Sequence, residues 1–375
     1  NNLYCLKYSI FINVLCKALK YKIFDTGSAH VPYWILPHHK ASCFRVIKKL
    51  AHRALALFFS GQFFKRVIKA SVEQDVCILY VDRKNIGDAI MDLSAISFLR
   101  DAMPQEYSID LVVSRELYSL FECDPRFRHV VSTDNHDEIA NLRPNLVMTL
   151  LMDYQAISYK KRFFSKLDFM ILHGWFGAPD RNLMQHTALN LAKAFSLGEP
   201  EIFASKVKHF FHPCLNGSEL EFPLDTCNKR VGIVLGGIDP RRTYQHWMVV
   251  VDFLLKHDIQ VVLMGSSNAR KEEDKILNRF EQYSVSKTLV SYVDKTNFAQ
   301  FLSLCRECDL IMSADGGAMH MALSVNKPMI CLFSEEYPES RLPYEFLGEA
   351  FHAKGDISSI KADEVSKAAF ELLYE

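Results

Sequence analysis

The stretch that most limits what this chain can fold into is Cys308–Phe333, CDLIMSADGGAMHMALSVNKPMICLF. Asp309–Ser313 reads as a short buried strand, and Ala318–Val325 has the small and apolar composition of a helix, with Asp315-Gly316-Gly317 between them. A second apolar run, Pro328–Phe333, follows within a few residues. The unit is a β-α-β crossover whose turn stands at the carboxyl end of a parallel strand, where ligands of such sheets bind. Gly316 and Gly317 opening a helix, with Ala318 behind them, allow close approach of the backbone, and the first-turn N–H groups favour a phosphate such as a nucleotide pyrophosphate. Asp315 repels phosphate but can accept hydrogen bonds from sugar hydroxyls. The plainer reading, Asp315 as a helix N-cap and the glycines as a turn, stands beside it.

The same alternation recurs twice. Cys77–Val81 reads as a strand, followed by Asn85-Ile86-Gly87-Asp88 and a helical pattern over Ala89–Arg100. Further strands are expected at Ile109–Val113, Val130-Val131 and Leu146–Leu151, and helices at Glu116–Phe121 and Gln185–Leu197. Phe210–Asn228, with Pro213, Gly217 and Pro223, reads as a linker. Beyond it come strand Val231–Leu235, the Gly236-Gly237 turn, helix Trp247–Lys256, strand Gln260–Met264, helix Lys271–Phe280, strand Leu289-Val290 and helix Phe298–Leu304. Alternation of this kind predicts an α/β chain with two doubly wound, Rossmann-like parallel sheets facing a cleft. The expected division is an extension over 1–70, a first domain over 71–222 and a second over 223–375.

Net charge is zero, yet the first 70 residues hold twelve Lys and Arg against one acid, Asp25. Over Cys43–Ala70 they alternate with Phe, Leu, Ile and Val as a basic amphipathic helix, suited to an anionic membrane surface or to the protein's own acidic remainder. The apolar run Tyr8–Cys16 is too short to span a bilayer, which needs about 20 residues. Ten cysteines scattered among apolar runs read as buried thiols of a reducing compartment. Cys305-x-x-Cys308 lacks the second Cys or His pair of a zinc site, so no metal is expected.

Gly87-Asp88, Gly236-Gly237 with Arg241-Arg242 and Trp247, Asp294-Lys295-Thr296, and Asp315-Gly316-Gly317-Ala318-Met319-His320 with Lys327-Pro328 and Phe333 resemble glycosyltransferase family 9, over roughly Val76–Tyr344. The resemblance implies the GT-B fold and an inverting, metal-independent glycosyltransferase. It implies transfer of a sugar, heptose from ADP-heptose, to an anionic lipid-linked acceptor in lipopolysaccharide core or surface glycan assembly, in the cytoplasm and peripheral on the inner face of the inner membrane. No cofactor is implied beyond this nucleotide-sugar substrate, and no nucleic acid partner. In the family's pattern Asp88 is the general base. Gly236, Gly237, Arg241, Arg242, Glu272 (or Glu273), Lys295, Asp315, Gly316, Gly317, Ala318 and His320 hold the donor. Lys160, Lys161, Arg162 and Lys166, in a loop after the fourth strand, hold an anionic acceptor or form a solvated helix face. Without the family, Asp88 reads as an N-cap and His320 as a core histidine.

The chain departs from the pattern at Gln245-His246-Trp247, where the family carries a lysine, at Gly316, where it has Ser or Thr, and at Ser334, where it has Gly. Arg241 or Arg242 is expected to replace the lysine, with His246 and Lys295 next. A nucleotide-sugar epimerase and a non-catalytic nucleotide-binding scaffold are the alternatives. Neither glycine turn has the G-x-G-x-x-G spacing of a nicotinamide oxidoreductase.

Overall fold

The computed structural model describes residues 70–82, 84–151, 153–173, 182–214, 229–237 and 239–374. The expected basic helix, apart from Ala70, lies outside them with its membrane contact, as does the expected linker beyond Cys214. Chain contacts divide the protein into two units. One holds the residues up to Lys84 and Asp92–Val207, the other Asn85–Met91 and Lys208–Glu375.

The first unit contains β1 (Val76–Tyr80), the end of α1 (Ile86–Ser94), α2 (Ile96–Ala102), β2 (Ile109–Val113), α3 (Arg115–Phe121), β3 (His129–Ser132), α4 (His136–Asn141), β4 (Leu146–Thr149), α5 (Tyr154–Phe163), β5 (Asp168–Ile171), α6 (Leu183–Phe195) and α7 (Pro200–Lys206). Its five strands are parallel in the order β3-β2-β1-β4-β5. VCILY of β1 and IDLVV of β2 are buried at every position, because helices cover both faces of a parallel sheet.

The second unit contains β6 (Arg230–Val234), α8 (Trp247–Lys256), β7 (Gln260–Met264), α9 (Arg270–Arg279), α10 (Glu281–Val285), β8 (Leu289–Ser291), α11 (Phe298–Glu307), β9 (Leu310–Ala314), α12 (Gly317–Leu323), β10 (Met329–Phe333), β11 (Gly348–His352) and α13 (Ala362–Tyr374). The strand order is β11-β10-β9-β6-β7-β8, all parallel. From β6 the chain builds outward through β7 and β8, then returns to β6's other side with β9. The order therefore reverses between β6 and β9, and it is at the carboxyl ends of strands at such a reversal that sheets of this kind bind ligands. Trp247 is 2% exposed and packs edge-on against Tyr244, whose hydroxyl donates to the Ile360 carbonyl. That tryptophan is core, anchoring α8 beneath the Gly236-Gly237 turn.

This is the two-sheet α/β architecture expected of a GT-B chain. Local signals moved some boundaries. Asn182 caps α6 by accepting from the N–H groups of Met184 and Gln185, and Ser196 ends it in the left-handed conformation, φ 54°. The helix thus starts and stops two residues before the expected Gln185–Leu197. Strand β5 is only four residues long and opens on an exposed Asp168, too weak a pattern to read locally. Cys77, Cys305, Cys308 and Cys331 are buried thiols, and burial pushes Cys308 up to about 12, so the Cys305-x-x-Cys308 pair is packing. Cys123 and Cys214 depart from the all-thiol expectation, being disulfide-bonded.

Gly348 opens β11 at φ +134°, and a Cβ there would lie 1.9 Å from the Met329 carbonyl oxygen. Gly348→Ala is expected to cost at least about 1–3 kcal/mol, through both overpacking and a strained backbone, read as a lowered denaturation midpoint. An unchanged midpoint would show that the β10–β11 pairing is loose.

Candidate functional site

Strand β6 pairs with β9 up to Val234 opposite Ser313. Two residues further along each strand stand Gly236 and Asp315, so both glycine turns seen in the sequence meet at the point where strand order reverses. Gly236 has φ +87°, a conformation favouring glycine, and Asn268 and Ala269 pack where its side chain would be. A side chain on Gly237 would strike Thr243 and the Arg242 carbonyl, so the short helical turn Pro240–Arg242 folds directly over it.

Asp315 is almost wholly buried, its side chain 4% exposed. Burial raises its pKa, and Arg341 and Arg242 oppose that rise. Arg242 Nη1 lies 3.3 Å from Asp315 Oδ2, which has no fully formed hydrogen bond, so this contact is an ion pair of imperfect angle. On the other oxygen, His320 Nε2 stands 3.8 Å from Oδ1. Gly316, φ 172°, is extended backbone open to any residue, and a Cβ there would meet only the Ala314 carbonyl, 4.0 Å away. It leaves open space at the start of α12, whose first-turn N–H groups have no partner within the helix. Gly317 serves a different purpose, since a Cβ would press Ile86 at 3.1 Å. Ala318 follows, half-buried.

The segment Asn85–Met91 belongs by its contacts to this second unit and brings Asp88 to the same place. Gly87 lies against His320, where an added Cβ would be 2.7 Å from Cδ2. Asp88 is the third residue of α1 rather than its N-cap, a position favoured by the helix dipole. Arg341 Nη1 donates to its Oδ1 at 3.2 Å, and Asn85 Nδ2 to its Oδ2 at 3.5 Å. Arg341 Nη2 also lies 3.4 Å from Glu336 Oε2, while its buried Nε has no partner. Burial works against this guanidinium's charge, but Glu336, Asp315 and Asp88 more than offset it and hold its pKa above the usual value. His320 is buried, and desolvation first, then His209, push its pKa well down. Asp88, Asp315, Arg242, Arg341 and His320 thus converge from three distant stretches of sequence.

The remaining expected residues divide. Arg241 is turned away, gripped by Asp239 at 2.8 Å and by Glu335. Glu272 pairs with Lys275 of its own helix at 3.2 Å. Its neighbour Glu273 is buried, accepts from the Ser291 hydroxyl at 2.5 Å and faces Lys295 Nζ at 4.0 Å. Lys295 therefore stands past the end of β8 with Glu273 rather than Glu272. Gln245 donates to the Thr243 carbonyl, and His246 is bonded to the Ser358 carbonyl at 2.8 Å.

The basic stretch is corrected. Lys160, Lys161 and Arg162 are not in a loop after the fourth strand but in the last turn of α5, which runs back from β4 toward the start of β5. They and Lys166 therefore stand at the amino edge of their sheet, opposite the edge where such sheets bind ligands. Lys160 is buried and donates to the Ser165 carbonyl, Arg162 covers the Phe163 ring, and Lys166 lines a groove with Arg143 and Pro144. Arg341, Glu336 and His209 were missed. The only sequence signal for Arg341 is its nearness to Glu335, Glu336 and Glu339. Among the described residues no helix is long and apolar enough to cross a membrane. Among the same residues no three of His, Cys, Asp and Glu form a group able to hold a metal ion.

Residues 221–358 match the family model described as Glycosyltransferase family 9 (heptosyltransferase). A lipooligosaccharide heptosyltransferase 2 of Haemophilus influenzae is 25% identical over 103 residues, 28% of this chain and 30% of that protein. The chain thus matches less than a third of that relative's length. A solved glycosyl transferase family 9 structure from Veillonella parvula superposes with TM-score 0.63 at 15% identity, over 81% of this chain and 99% of that one. The structure of an Escherichia coli ADP-heptose lps heptosyltransferase II gives 0.60 at 18% identity, over 80% and 98%. At such identities the superpositions establish the fold, while the sequence match to the glycosyltransferase family 9 model covers less than half of the chain and falls on the unit that gathers the converging residues.

Proposed function

We propose that this chain is an inverting glycosyltransferase that moves a sugar, heptose from ADP-heptose, to a hydroxyl of a lipid-linked saccharide in lipopolysaccharide assembly. The observation that carries it is the convergence of Asp88 and Asp315 with two arginines at the carboxyl edge of the second sheet. In this reading the donor pyrophosphate sits over Gly316 and the first turn of α12, with Arg242 beside it. Asp315 accepts from donor hydroxyls, and Glu273, more than Glu272, lies with Lys295 toward the nucleoside. Asp88 takes the acceptor hydroxyl's proton as its oxygen attacks the anomeric carbon. The bond from that carbon to the diphosphate breaks, and configuration inverts. Positive charge at the leaving diphosphate comes from arginine and backbone N–H groups, which is how a metal-independent route stabilises it. The donor and acceptor classes are drawn from what the similar proteins are named for, since the basic residues expected to hold an anionic acceptor stand at the wrong edge.

The test is thermal denaturation of the full chain with ADP, UDP, GDP and their sugars. A ligand at a hundred times its dissociation constant stabilises by about 2.7 kcal/mol. ADP and ADP-heptose are expected to raise the midpoint most. No shift with any nucleotide would overturn the reading, and ADP release without an acceptor would favour an epimerase or hydrolase. Gln245, an uncharged residue standing where the family has lysine, its side-chain amide donating to the nearby Thr243 carbonyl, supports a second reading as a nucleotide-binding scaffold. Binding of ADP-heptose without transfer to any lipid-linked saccharide would establish that one.

A further inference from the structure

His209 lies outside any helix or strand, 111 residues before His320, and its Nε2 is 2.8 Å from His320 Nδ1. The ring centroids are 5.0 Å apart with planes 21° from parallel. That separation is too long for face-to-face contact at so short a nitrogen distance. It is the separation of two nearly coplanar imidazoles joined edge to edge by one N–H···N bond. We propose that His209 is a positioning residue, whose Nε2–H locks His320 in the tautomer that presents its own Nε2–H to Asp315. The proposal rests on the reading of Asp315 and Asp88 as site residues.

Both rings are buried and burial holds both neutral, His209 down to about 3, so each carries one proton. If His320 Nδ1 were the donor, His209 would carry its proton on Nδ1, which is buried and has no partner. His320 Nε2 would then turn a lone pair toward the Asp315 carboxylate, 3.8 Å away. Both consequences are costly, the orphaned donor above all. With His209 donating, the bare nitrogen is an unfilled acceptor and His320 aims an N–H at a carboxylate. His320 is also the ring against which Gly87 is pressed, next to Asp88. One buried hydrogen bond thereby sets a side chain that touches both the Asp315 carboxylate and the Asp88 segment.

The experiment is nitrogen-15 NMR of histidine-labelled full-length protein, with turnover and ADP stabilisation measured in parallel. In the unmodified protein His320 is expected as the Nε2–H tautomer. His209→Gln, whose amide can donate from a similar place, should retain that tautomer and most turnover. His209→Leu should lose the single tautomer and lower kcat/KM roughly 10- to 100-fold. A wild-type His320 protonated on Nδ1 overturns the proposal. So does a His209→Leu protein with unchanged turnover. Should His209→Leu fail to fold, a His209→Gln protein that folds but has lost the tautomer overturns it equally. The tautomer is read without nucleotide, so its absence is distinguishable from a failure of the proposed function, which appears as no response to ADP in the unmodified chain.

Discussion

Asp88→Asn is expected to lower sugar transfer by about 10²–10⁴-fold, the contribution of a positioned general base, while ADP still raises the denaturation midpoint. Asparagine preserves the shape of the side chain and its place in the first turn of α1, so the close packing of Gly87 on His320 survives. What is lost is the capacity to take a proton. The bond from Arg341 also weakens, since a carboxylate accepts from a guanidinium more strongly than an amide does. Arg341 keeps Glu336 as a charged partner, and for this reason the substitution is not expected to unfold the site. The measurement is ADP release with donor and acceptor present, alongside thermal denaturation with ADP. Near-normal transfer by the variant would remove Asp88 from the mechanism.

Arg242→Ala is expected to reduce turnover by about 10²–10³-fold with a smaller loss of ADP binding, whereas Arg241→Ala should change neither by much. In the sequence the two arginines are equivalent candidates. In the fold Arg242 faces Asp315 at 3.3 Å, and Arg241 is already engaged by Asp239 and Glu335. A guanidinium beside the pyrophosphate can hold two of its oxygens at once. Its removal has a second consequence with a definite sign. Arg242 is one of the charges that counter the burial-driven rise of the Asp315 pKa, so without it that pKa rises further. The acid limb of the pH profile for ADP-heptose binding should therefore move to higher pH, because Asp315 takes up its proton earlier as pH falls. An Arg241→Ala defect equal to or greater than that of Arg242→Ala would reverse the assignment.

Strand-and-helix alternation was legible in the residues because it is a local property. Buried runs such as VCILY and MICLF are bounded by turns, and Asp315-Gly316-Gly317 marks the end of the strand Leu310–Ala314. The doubly wound plan of both units follows from that alternation, as does the location of Gly236-Gly237 and Asp315 at carboxyl ends of strands. Short or interrupted elements were less legible. Strand β5 and helix α7 lacked enough periodic residues to stand out, and α6 was displaced by its Asn182 cap.

By itself, then, the sequence determined the α/β class, the strand ends and the kinds of side chain available there, since these depend on propensity and turn chemistry within a few residues. Only the tertiary structure decided which of them meet. It turned Arg242 toward Asp315 and Arg241 away from it, and brought Asp88 into the second unit's contacts. It joined His209 to His320 and supplied Arg341 to Asp88. It sent Lys160 into the interior and its basic neighbours to the amino edge. The physical reason is that strand order and helix direction determine the edge of a sheet on which a residue lies, and both are long-range properties with no trace in local periodicity.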